Sequence, residues 1–192
     1  MGENKALKLF LGRPLIQRVV ERLAPAADEV LITTNEPETY QFLNLPLFPD
    51  LRPGRGPLGG LYTALVSARH PQVAVVACDM PFASAPLLVA SAGILQQDHA
   101  DVVIAETAEG FEPLHAVYRR EACVPAIGQA MDAGQWRVIS WFAQVKVRKL
   151  TGMELARYDP DGIAFSNVNT PEEFSAAEKR ASEPIGPGKP RH

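Results

Sequence analysis

The sequence is poor in cysteine, in excess positive charge and in long apolar runs. Its two cysteines, Cys78 and Cys123, lie far apart without metal-ligand spacing, which is typical of a protein of the reducing cytosol. The 19 Lys and Arg residues are outnumbered by 22 Asp and Glu residues, so the chain has no basic footprint for nucleic acid. No apolar run has the length of a signal peptide or of a membrane span. We therefore expect a cytoplasmic protein without nucleic-acid or membrane partners.

The chain does have an ordinary globular composition and a regular alternation of elements. Hydrophobic residues make up 46% and charged residues 21% of the 192 residues, a balance that allows one domain with a substantial core. Strand patterns alternate with helical patterns, which predicts an α/β protein with a three-layer α/β/α, Rossmann-like fold and a mostly parallel sheet. We assign residues 1–178 to this domain. Residues 179–192, rich in Glu, Gly, Pro, Lys and Arg, are expected to form a disordered tail.

Local signals predict several element boundaries. Residues 49–60 are dense in proline and glycine, which predicts a loop that leads into a helix at 61–68. A last helix begins after Thr170, which stands in the N-cap position with Pro171 at the first helical residue and Glu173 in capping-box spacing.

An aspartate follows the most apolar predicted strand. Residues 73–78 have strand character, Asp79 comes directly after them, and Pro81 follows two residues later. Ligands of open α/β sheets bind beyond the carboxyl ends of the strands, and Mg²⁺ is held by one or two carboxylates together with substrate phosphates. Asp79 is therefore a candidate metal ligand. The alternative is that Asp79 caps the turn into the next helix, and the strand pattern by itself leaves both interpretations open.

Five motifs in a fixed order resemble the molybdenum cofactor guanylyltransferase family of the nucleotidyltransferase superfamily. The resemblance extends from Met1 to about Phe174, and its motifs are Met1-Gly-Glu-Asn-Lys-Ala-Leu7 with Gly12-Arg-Pro-Leu-Ile16, Gly54-Arg-Gly-Pro-Leu-Gly-Gly-Leu61, Cys78-Asp-Met-Pro81, Glu112-Pro-Leu-His-Ala-Val-Tyr118 and Asn167-Val-Asn-Thr-Pro171. The resemblance implies a nucleotide-diphospho-sugar transferase-like fold. It implies transfer of GMP from GTP to molybdopterin-bound molybdenum, with Mg²⁺ as cofactor and release of pyrophosphate. The implied partners are GTP, the molybdopterin cofactor, and molybdoenzymes or other proteins of cofactor biosynthesis.

The beginning of the chain departs from the family pattern. The family's Gly-rich loop follows a first strand and precedes the Met-Gly pair, whereas this sequence starts at that pair. We expect the sequence to lack the first strand and the loop of the working protein. The first strand of a doubly wound sheet is central, so its loss would leave the predicted strands at 30–34 and 73–78 without their shared neighbour.

The resemblance also implies roles for individual residues. Lys5 matches the family's loop lysine, whose ammonium group stabilises charge on the α-phosphate and the leaving pyrophosphate. Asp79 matches the Mg²⁺ ligand, and Asn169 lies in the segment that the family uses near the metal and phosphates. Asn35 and Asp50 match residues around the nucleoside of GTP. Each residue also has a simpler interpretation: Lys5 as a solvated lysine, and the others as turn formers or caps.

Three further features of the sequence have both a functional and a structural interpretation. The glycines of residues 54–60 permit close approach of a backbone to the nucleoside, or they form a flexible connector. Arg137 follows a Gly-containing loop and is a candidate for contact with the phosphate of the acceptor. His115 lies in a predicted strand and is expected to be a satisfied or partly buried histidine rather than a catalytic one. The acceptor is already an ionised phosphate, so the reaction needs no protein base.

Two rival functions remain open from the sequence. A cytidylyltransferase, or another nucleotidyltransferase of the same fold, would share the Asp79 site and differ in base preference. Asp50 favours guanine, because a carboxylate accepts hydrogen bonds from the N–H groups of the guanine Watson–Crick edge. The other rival is a non-catalytic relative that binds the cofactor or docks on a partner enzyme, which the absent Gly-rich loop favours.

Overall fold

The structure is a computed structural model that describes residues 4–183. Within this range the strands are β1 Leu9–Phe10, β2 Arg13–Pro14, β3 Ile32–Thr33, β4 Leu47–Phe48, β5 Gln72–Val76, β6 Val102–Thr107, β7 Gly110–Arg119 and β8 Val147–Leu150. The α-helices are α1 Leu15–Leu23, α2 Pro37–Tyr40, α3 Gly56–Ser67, α4 Ala85–Gln97, α5 Arg120–Asp132, α6 Gly152–Tyr158 and α7 Pro171–Ser182. None of the helices of residues 4–183 is both long and apolar enough to cross a bilayer.

A four-stranded sheet forms the centre of the fold, in the order β5-β7-β6-β8. β7 is antiparallel to both β5 and β6, whereas β6 and β8 are parallel. Three of the four strands therefore run in one direction, and β7 runs against them between two of these three. The predicted α/β class is confirmed, but the sheet is mixed rather than mostly parallel, because the short turn between β6 and β7 makes a hairpin that sets β7 antiparallel to both of its neighbours.

Helices cover both faces of this sheet, which gives three layers. Successive side chains of a strand point to opposite faces, and β6 follows this rule. Val102 and Ile104 pack with leucines of α3 and apolar residues of α5 in one buried cluster. Val103 packs in a second cluster with Leu87 and Leu95 of α4. The near-continuous apolar character of β6 follows from burial on both faces.

Among residues 4–183, β3 and β5 each pair with one strand only. β3 pairs in parallel with β4 in a sheet of its own, and β5 pairs with β7 on one side. Among residues 4–183, β3 and β5 are not hydrogen-bonded to each other, although α3 contacts both. Ala74, in the middle of β5, is exposed.

Two predicted boundaries differ from the structure. α3 begins at Gly56, so residues 56–60 are helical and the predicted loop ends at 55. Pro57 lies in the first turn, where its missing N–H is harmless, and burial of Leu58 favours the helix. α7 extends to Ser182, so the predicted tail does not begin at 179. Residues 184–192 of that tail, and the Met-Gly-Glu that opens the first motif, lie outside the described residues.

The start of α7 confirms the predicted capping box. The Thr170 hydroxyl accepts from the Glu173 N–H at 3.1 Å, and the Glu173 carboxylate accepts from the Thr170 N–H at 3.0 Å. A small apolar cluster packs Ala177 of α7 and Val168 before it against Phe10 of β1 and Phe82 of the segment after β5. This cluster brings three distant parts of the chain to one place.

Candidate active site

Asp79 lies in the segment that connects β5 to α4, three residues beyond the last residue of β5. The side chain is half-buried, and this burial raises the pKa of the carboxyl group, while nearby Lys5 opposes the rise. α4 is capped instead by Ser84, whose hydroxyl accepts from the Leu87 N–H at 3.3 Å. The helix-cap interpretation of Asp79 is therefore wrong, and a partly desolvated carboxylate remains.

Three predicted residues meet at this segment. The Lys5 Nζ donates to the Asn169 Oδ1 at 3.1 Å, across 164 residues of chain. The Val168 N–H donates to the Asp79 backbone carbonyl at 3.1 Å, so the segment that carries Asn169 is joined to the segment that carries Asp79. An ammonium group, an amide and a carboxylate from three separate segments thus form one polar group, which we call the Lys5–Asp79–Asn169 cluster.

Neighbouring side chains fix the two outer members of this cluster. The Asn4 side chain accepts from the Ala6 N–H and so caps the single 3-10 turn that begins at Lys5. The Asn4 Nδ2 donates to the Tyr40 hydroxyl at 3.0 Å, which anchors that turn on α2. At the other side, the Asn169 N–H donates to the Glu173 carboxylate at 2.7 Å. Local hydrogen bonds therefore fix the backbone next to Lys5 and at Asn169, independently of the contact between the two side chains.

A second pair of predicted residues lies past the ends of β3 and β4. The parallel register places Thr33 opposite Phe48, so Asn35 and Asp50 face each other two residues further along. The Asn35 Nδ2 donates to the Asp50 Oδ2, and the Asn35 Oδ1 accepts from the Asp50 N–H, both at 2.9 Å. This reciprocal pair orients the Asp50 carboxylate and engages one of its two oxygens.

The loop after Asp50 folds back over the first turns of α3. A Cβ atom at Gly59 would lie 3.1 Å from the Arg55 Cβ and 3.2 Å from the Arg52 carbonyl oxygen, so the loop and the helix touch at this glycine. Gly54 has a φ of +75°, a conformation that favours glycine and that turns the loop back toward α3. The close backbone approach that the glycines of residues 54–60 permit is therefore, at Gly59, an approach of α3 to the loop after Asp50.

No cluster of three or more His, Cys, Asp or Glu metal ligands is found among residues 4–183. Asp79 is instead a single hard oxygen ligand, half-buried and with a raised pKa. Mg²⁺ is commonly held by one or two carboxylates and completed by substrate phosphates. The donors present therefore fit a metal ion that is shared with a phosphate substrate.

Comparison with known proteins identifies the family. The profile of the MobA-like NTP transferase domain matches residues 1–147. The molybdenum cofactor guanylyltransferase of Desulfosudis oleivorans is 36% identical over 92% of this chain and 87% of its own length. The chain belongs to the molybdenum cofactor guanylyltransferase family. It is accordingly a nucleotidyltransferase enzyme, as the motif resemblance predicted.

Solved structures agree on the fold of this family member. Molybdopterin-guanine dinucleotide biosynthesis protein A from Archaeoglobus fulgidus superposes with a TM-score of 0.81 at 24% identity, covering 94% of this chain and 92% of the other. A 2-C-methyl-D-erythritol 4-phosphate cytidylyltransferase from Thermus thermophilus superposes with a TM-score of 0.65 at 15% identity, covering 92% and 93%. Both confirm the nucleotide-diphospho-sugar transferase-like fold, which guanylyl- and cytidylyltransferases share.

The structure places the predicted residues of this guanylyltransferase family member in two groups, the Lys5–Asp79–Asn169 cluster and the Asn35–Asp50 pair. Arg137 is exposed in the segment that follows α5. Its neighbour Trp136 stacks with Arg55, whose guanidinium carbon lies 4.0 Å from the Trp136 ring centroid. The segment of Arg137 is thereby tied to the loop after Asp50.

Two supporting residues were not predicted. Tyr40 anchors Asn4, but a tyrosine at the end of a short helix has no signal that points to a lysine 35 residues earlier. Glu173 was predicted only as a helix cap, although its carboxylate also accepts from the Asn169 N–H. The capping-box spacing would have indicated this second contact, because the same carboxylate reaches back across the N-cap.

Proposed function

We propose that this chain transfers GMP from GTP to the molybdopterin form of the molybdenum cofactor and releases pyrophosphate. The observation that carries the proposal is the Lys5–Asp79–Asn169 cluster, in which Lys5 contacts Asn169 and the Asp79 segment is bonded to Val168. A cation that interacts electrostatically with a carboxylate suited to a metal ion fits a reaction in which charge develops on phosphate oxygens. The name of the D. oleivorans relative agrees with this reaction.

The Asn35–Asp50 pair supports guanine as the base. The Asn35 Nδ2 donates to the Asp50 Oδ2 and the Asn35 Oδ1 accepts from the Asp50 backbone N–H, both at 2.9 Å, so Asn35 engages only the Oδ2 oxygen of the carboxylate. The other carboxylate oxygen can accept from the N–H groups of the guanine Watson–Crick edge, which are absent from the corresponding acceptor edge of cytosine. A hydrogen bond to a charged group contributes about 1.5–3 kcal/mol, enough to separate two bases by a factor of ten or more.

The proposed reaction is a single in-line displacement. A phosphate oxygen of the acceptor forms a bond to the α-phosphorus of GTP, and the bond from that phosphorus to the α,β-bridging oxygen breaks with its electron pair. Lys5 stabilises the charge on the α-phosphate and on the departing pyrophosphate, and Asn169 orients the Lys5 ammonium group. Positioning and electrostatics supply the acceleration, so no cysteine or serine nucleophile is required.

The Asp79 carboxylate would hold a Mg²⁺ ion. Such an ion, when bound, neutralises charge on phosphate oxygens. Without it, burial disfavours the ionised form of Asp79, as the raised pKa indicates. The half-buried position of Asp79 thus suits a carboxylate whose charge is balanced by a cation brought with the nucleotide.

The test is to supply purified protein with molybdopterin, MgCl₂ and either GTP or CTP, and to measure pyrophosphate release and the dinucleotide product. We expect product from GTP and little from CTP. Asp50→Asn should lower the GTP-to-CTP preference at least tenfold, since an amide offers one acceptor oxygen where the carboxylate offers two. Asp28→Asn, an exposed aspartate outside both groups, is the matched control.

Each remaining outcome has a distinct meaning. Faster turnover of CTP would assign the chain to the cytidylyltransferases of the same fold. Binding of GTP without turnover would identify a non-catalytic binding protein. Either result would overturn the proposed activity without affecting the family membership.

A further inference from the structure

His115 is a buried, titratable side chain that the proposed reaction does not use. It lies in β7 directly opposite Val76, the last residue of β5, and only 2% of its surface is exposed. The chain that leaves β5 at this point carries Asp79. His115 therefore sits beneath the connection that presents the metal-type carboxylate.

Two consecutive residues of β7, Leu114 and His115, accept hydrogen bonds from the two ends of the segment between β5 and α4. The Ala77 N–H donates to the Leu114 carbonyl at 2.8 Å, which extends the strand ladder one residue past β5. At the far end, the Ser84 N–H donates to the His115 Nε2 at 3.0 Å. Asp79 lies between these attachment points, so the His115 side chain closes a loop whose start is fixed by Leu114.

The same imidazole also touches the second segment of the site. The ring of Phe165 meets the His115 ring edge-on, with centroids 5.1 Å apart and planes at 80°. Phe165 belongs to the stretch that leads to Asn169, and the turn before it is held by buried Asp159, which accepts from the Ile163 and Ala164 N–H groups at 3.1 Å. His115 thus contacts both segments that the Lys5–Asp79–Asn169 cluster needs in register.

The hydrogen bonding of His115 argues for a specific use of Nε2. Because Nε2 accepts a hydrogen bond from the Ser84 N–H, the neutral ring carries its proton on Nδ1. Nδ1 is buried without a hydrogen-bond partner among residues 4–183. An unsatisfied buried donor costs about 1–3 kcal/mol, a cost that an apolar side chain would not carry. The interaction that histidine provides and an apolar side chain lacks is the hydrogen bond from the Ser84 N–H to Nε2.

We propose that His115 is a positioning residue, which sets the geometry of the Asp79 segment through Ser84 and aligns it with the Asn169 segment through Phe165. This inference rests on the proposed function, because it assumes that Asp79 binds a metal ion with the nucleotide. Partners that orient a metal ligand from behind typically change metal affinity or activity 10–100-fold when they are removed.

The test uses two substitutions that differ in the acceptor. His115→Gln keeps an acceptor oxygen near the position of Nε2, whereas His115→Leu fills similar space without one. We expect the apparent Mg²⁺ constant of GMP transfer to rise 10–100-fold in His115→Leu and to stay within about threefold of wild type in His115→Gln. The KM for GTP should change less than twofold in both. Val117→Ala, on the same face of β7, is the control for a loss of stability alone.

Hydrogen exchange of the Ser84 amide gives a readout that needs no catalysis. The Ser84 amide should be protected in the wild type and in His115→Gln, and it should exchange at least tenfold faster in His115→Leu. The Val102 amide, the internal control, should stay protected in all three proteins. In the presence of GTP, His115→Leu should bind Mn²⁺ more weakly than the wild type and His115→Gln do.

The outcomes separate this inference from the proposed function. A wild type without transfer activity would overturn the proposed function, and the Ser84 exchange and the Mn²⁺ titration would still decide the role of His115. Equal Mg²⁺ constants in wild type and His115→Leu, or an equal rise in Val117→Ala, would overturn the positioning role.

Discussion

Lys5 and Asn169 lie near opposite ends of the described chain, and their side chains are joined by a hydrogen bond of 3.1 Å. The backbone is anchored on both sides of this contact, next to Lys5 by the hydrogen bond between Asn4 and Tyr40 and at Asn169 by the bond from its N–H to Glu173. The position of the Lys5 ammonium group therefore depends on the positions of both the N-terminal turn and α7.

This contact predicts a coupled effect of two substitutions. Lys5→Met should lower kcat for GMP transfer by about 10²–10³-fold, the usual cost of removing one electrostatic donor. Asn169→Ala should lower kcat less, and in the Lys5→Met background its effect should largely disappear, because one function of Asn169 is to hold Lys5. A double-mutant cycle on kcat makes the measurement.

Matched controls are available for both positions. Lys179→Met removes an exposed lysine from α7, and Asn167→Ala removes an exposed asparagine two residues before Asn169. Strictly additive effects of the Lys5 and Asn169 substitutions would contradict the coupling. An Asn167→Ala variant as impaired as Asn169→Ala would show that the turn matters and the Lys5 contact does not.

The partial burial of Asp79 predicts that its carboxylate lowers the stability of the metal-free protein, although the proposed reaction requires it. Its pKa is raised in the folded protein by burial, so the folded state favours the proton more than the unfolded state does. Stability from this group is therefore greatest at low pH and falls as pH rises through the range between the ordinary and the raised pKa. At pH 7 and without metal, Asp79→Asn should raise the free energy of unfolding, by about 0.5–2 kcal/mol.

The same substitution should strongly reduce the stabilisation of the protein by its ligands. Mg²⁺ with GTP should stabilise the wild type, by about 2.7 kcal/mol at a ligand concentration one hundred times Kd, and should stabilise Asp79→Asn much less. Urea unfolding with and without the two ligands measures both effects, with Asp28→Asn as the control. Lower stability of metal-free Asp79→Asn would show that the carboxylate has a structural partner.

Much of this site could be predicted where a local pattern determines the outcome. The strand that ends before Asp79 and the capping box at Thr170 both act within a few residues, and both were recognised. Contacts between distant segments had no such signal. The hydrogen bond from Ser84 to His115 depends on the register of β5 against β7, which residue types alone do not specify.

The start of α3 shows a conflict between local composition and packing. The proline and glycines of residues 54–60 predict a loop, yet the helix begins at Gly56. Glycine disfavours a helix by up to about 1 kcal/mol, whereas full burial of a leucine contributes about 1.5–3 kcal/mol. Leu58 and Leu61 are almost fully buried, so tertiary packing outweighs the local preference.

His115 predicts a pH dependence of stability. Burial lowers the pKa of His115 to about 4, below its ordinary value of 6.5. As pH falls from about 6.5 to 4, the unfolded state binds a proton that the folded state does not, so stability falls by up to about 3 kcal/mol over this range. Equilibrium unfolding between pH 4 and 7 should show this slope in wild type and a shallower one in His115→Gln. Identical slopes would mean that His115 protonates at its ordinary pKa in the folded protein.

Adjacent glycines of α3 give a sharp comparison of close packing. A Cβ at Gly59 would lie 3.1 and 3.2 Å from atoms of Arg55 and Arg52 and 3.8 Å from the Asp50 Oδ2, whereas a Cβ at Gly60 would lie no closer than 3.7 Å to a neighbour, the Thr33 Oγ1. Both substitutions to alanine favour the helix by up to about 1 kcal/mol, so this contribution cancels between them.

The difference between the two alanine variants therefore reports the loop contact. Gly59→Ala must displace the loop after Asp50, and overpacking of this kind costs about 1–3 kcal/mol relative to Gly60→Ala. We expect a raised KM for GTP in Gly59→Ala, because the displaced loop begins at the carboxylate proposed to read guanine, and an unchanged KM in Gly60→Ala. Steady-state kinetics with GTP and urea unfolding of both variants make the comparison. A raised KM in Gly60→Ala alone would instead place the nucleoside against the helix at Gly60, where only the ligand could meet the added methyl group.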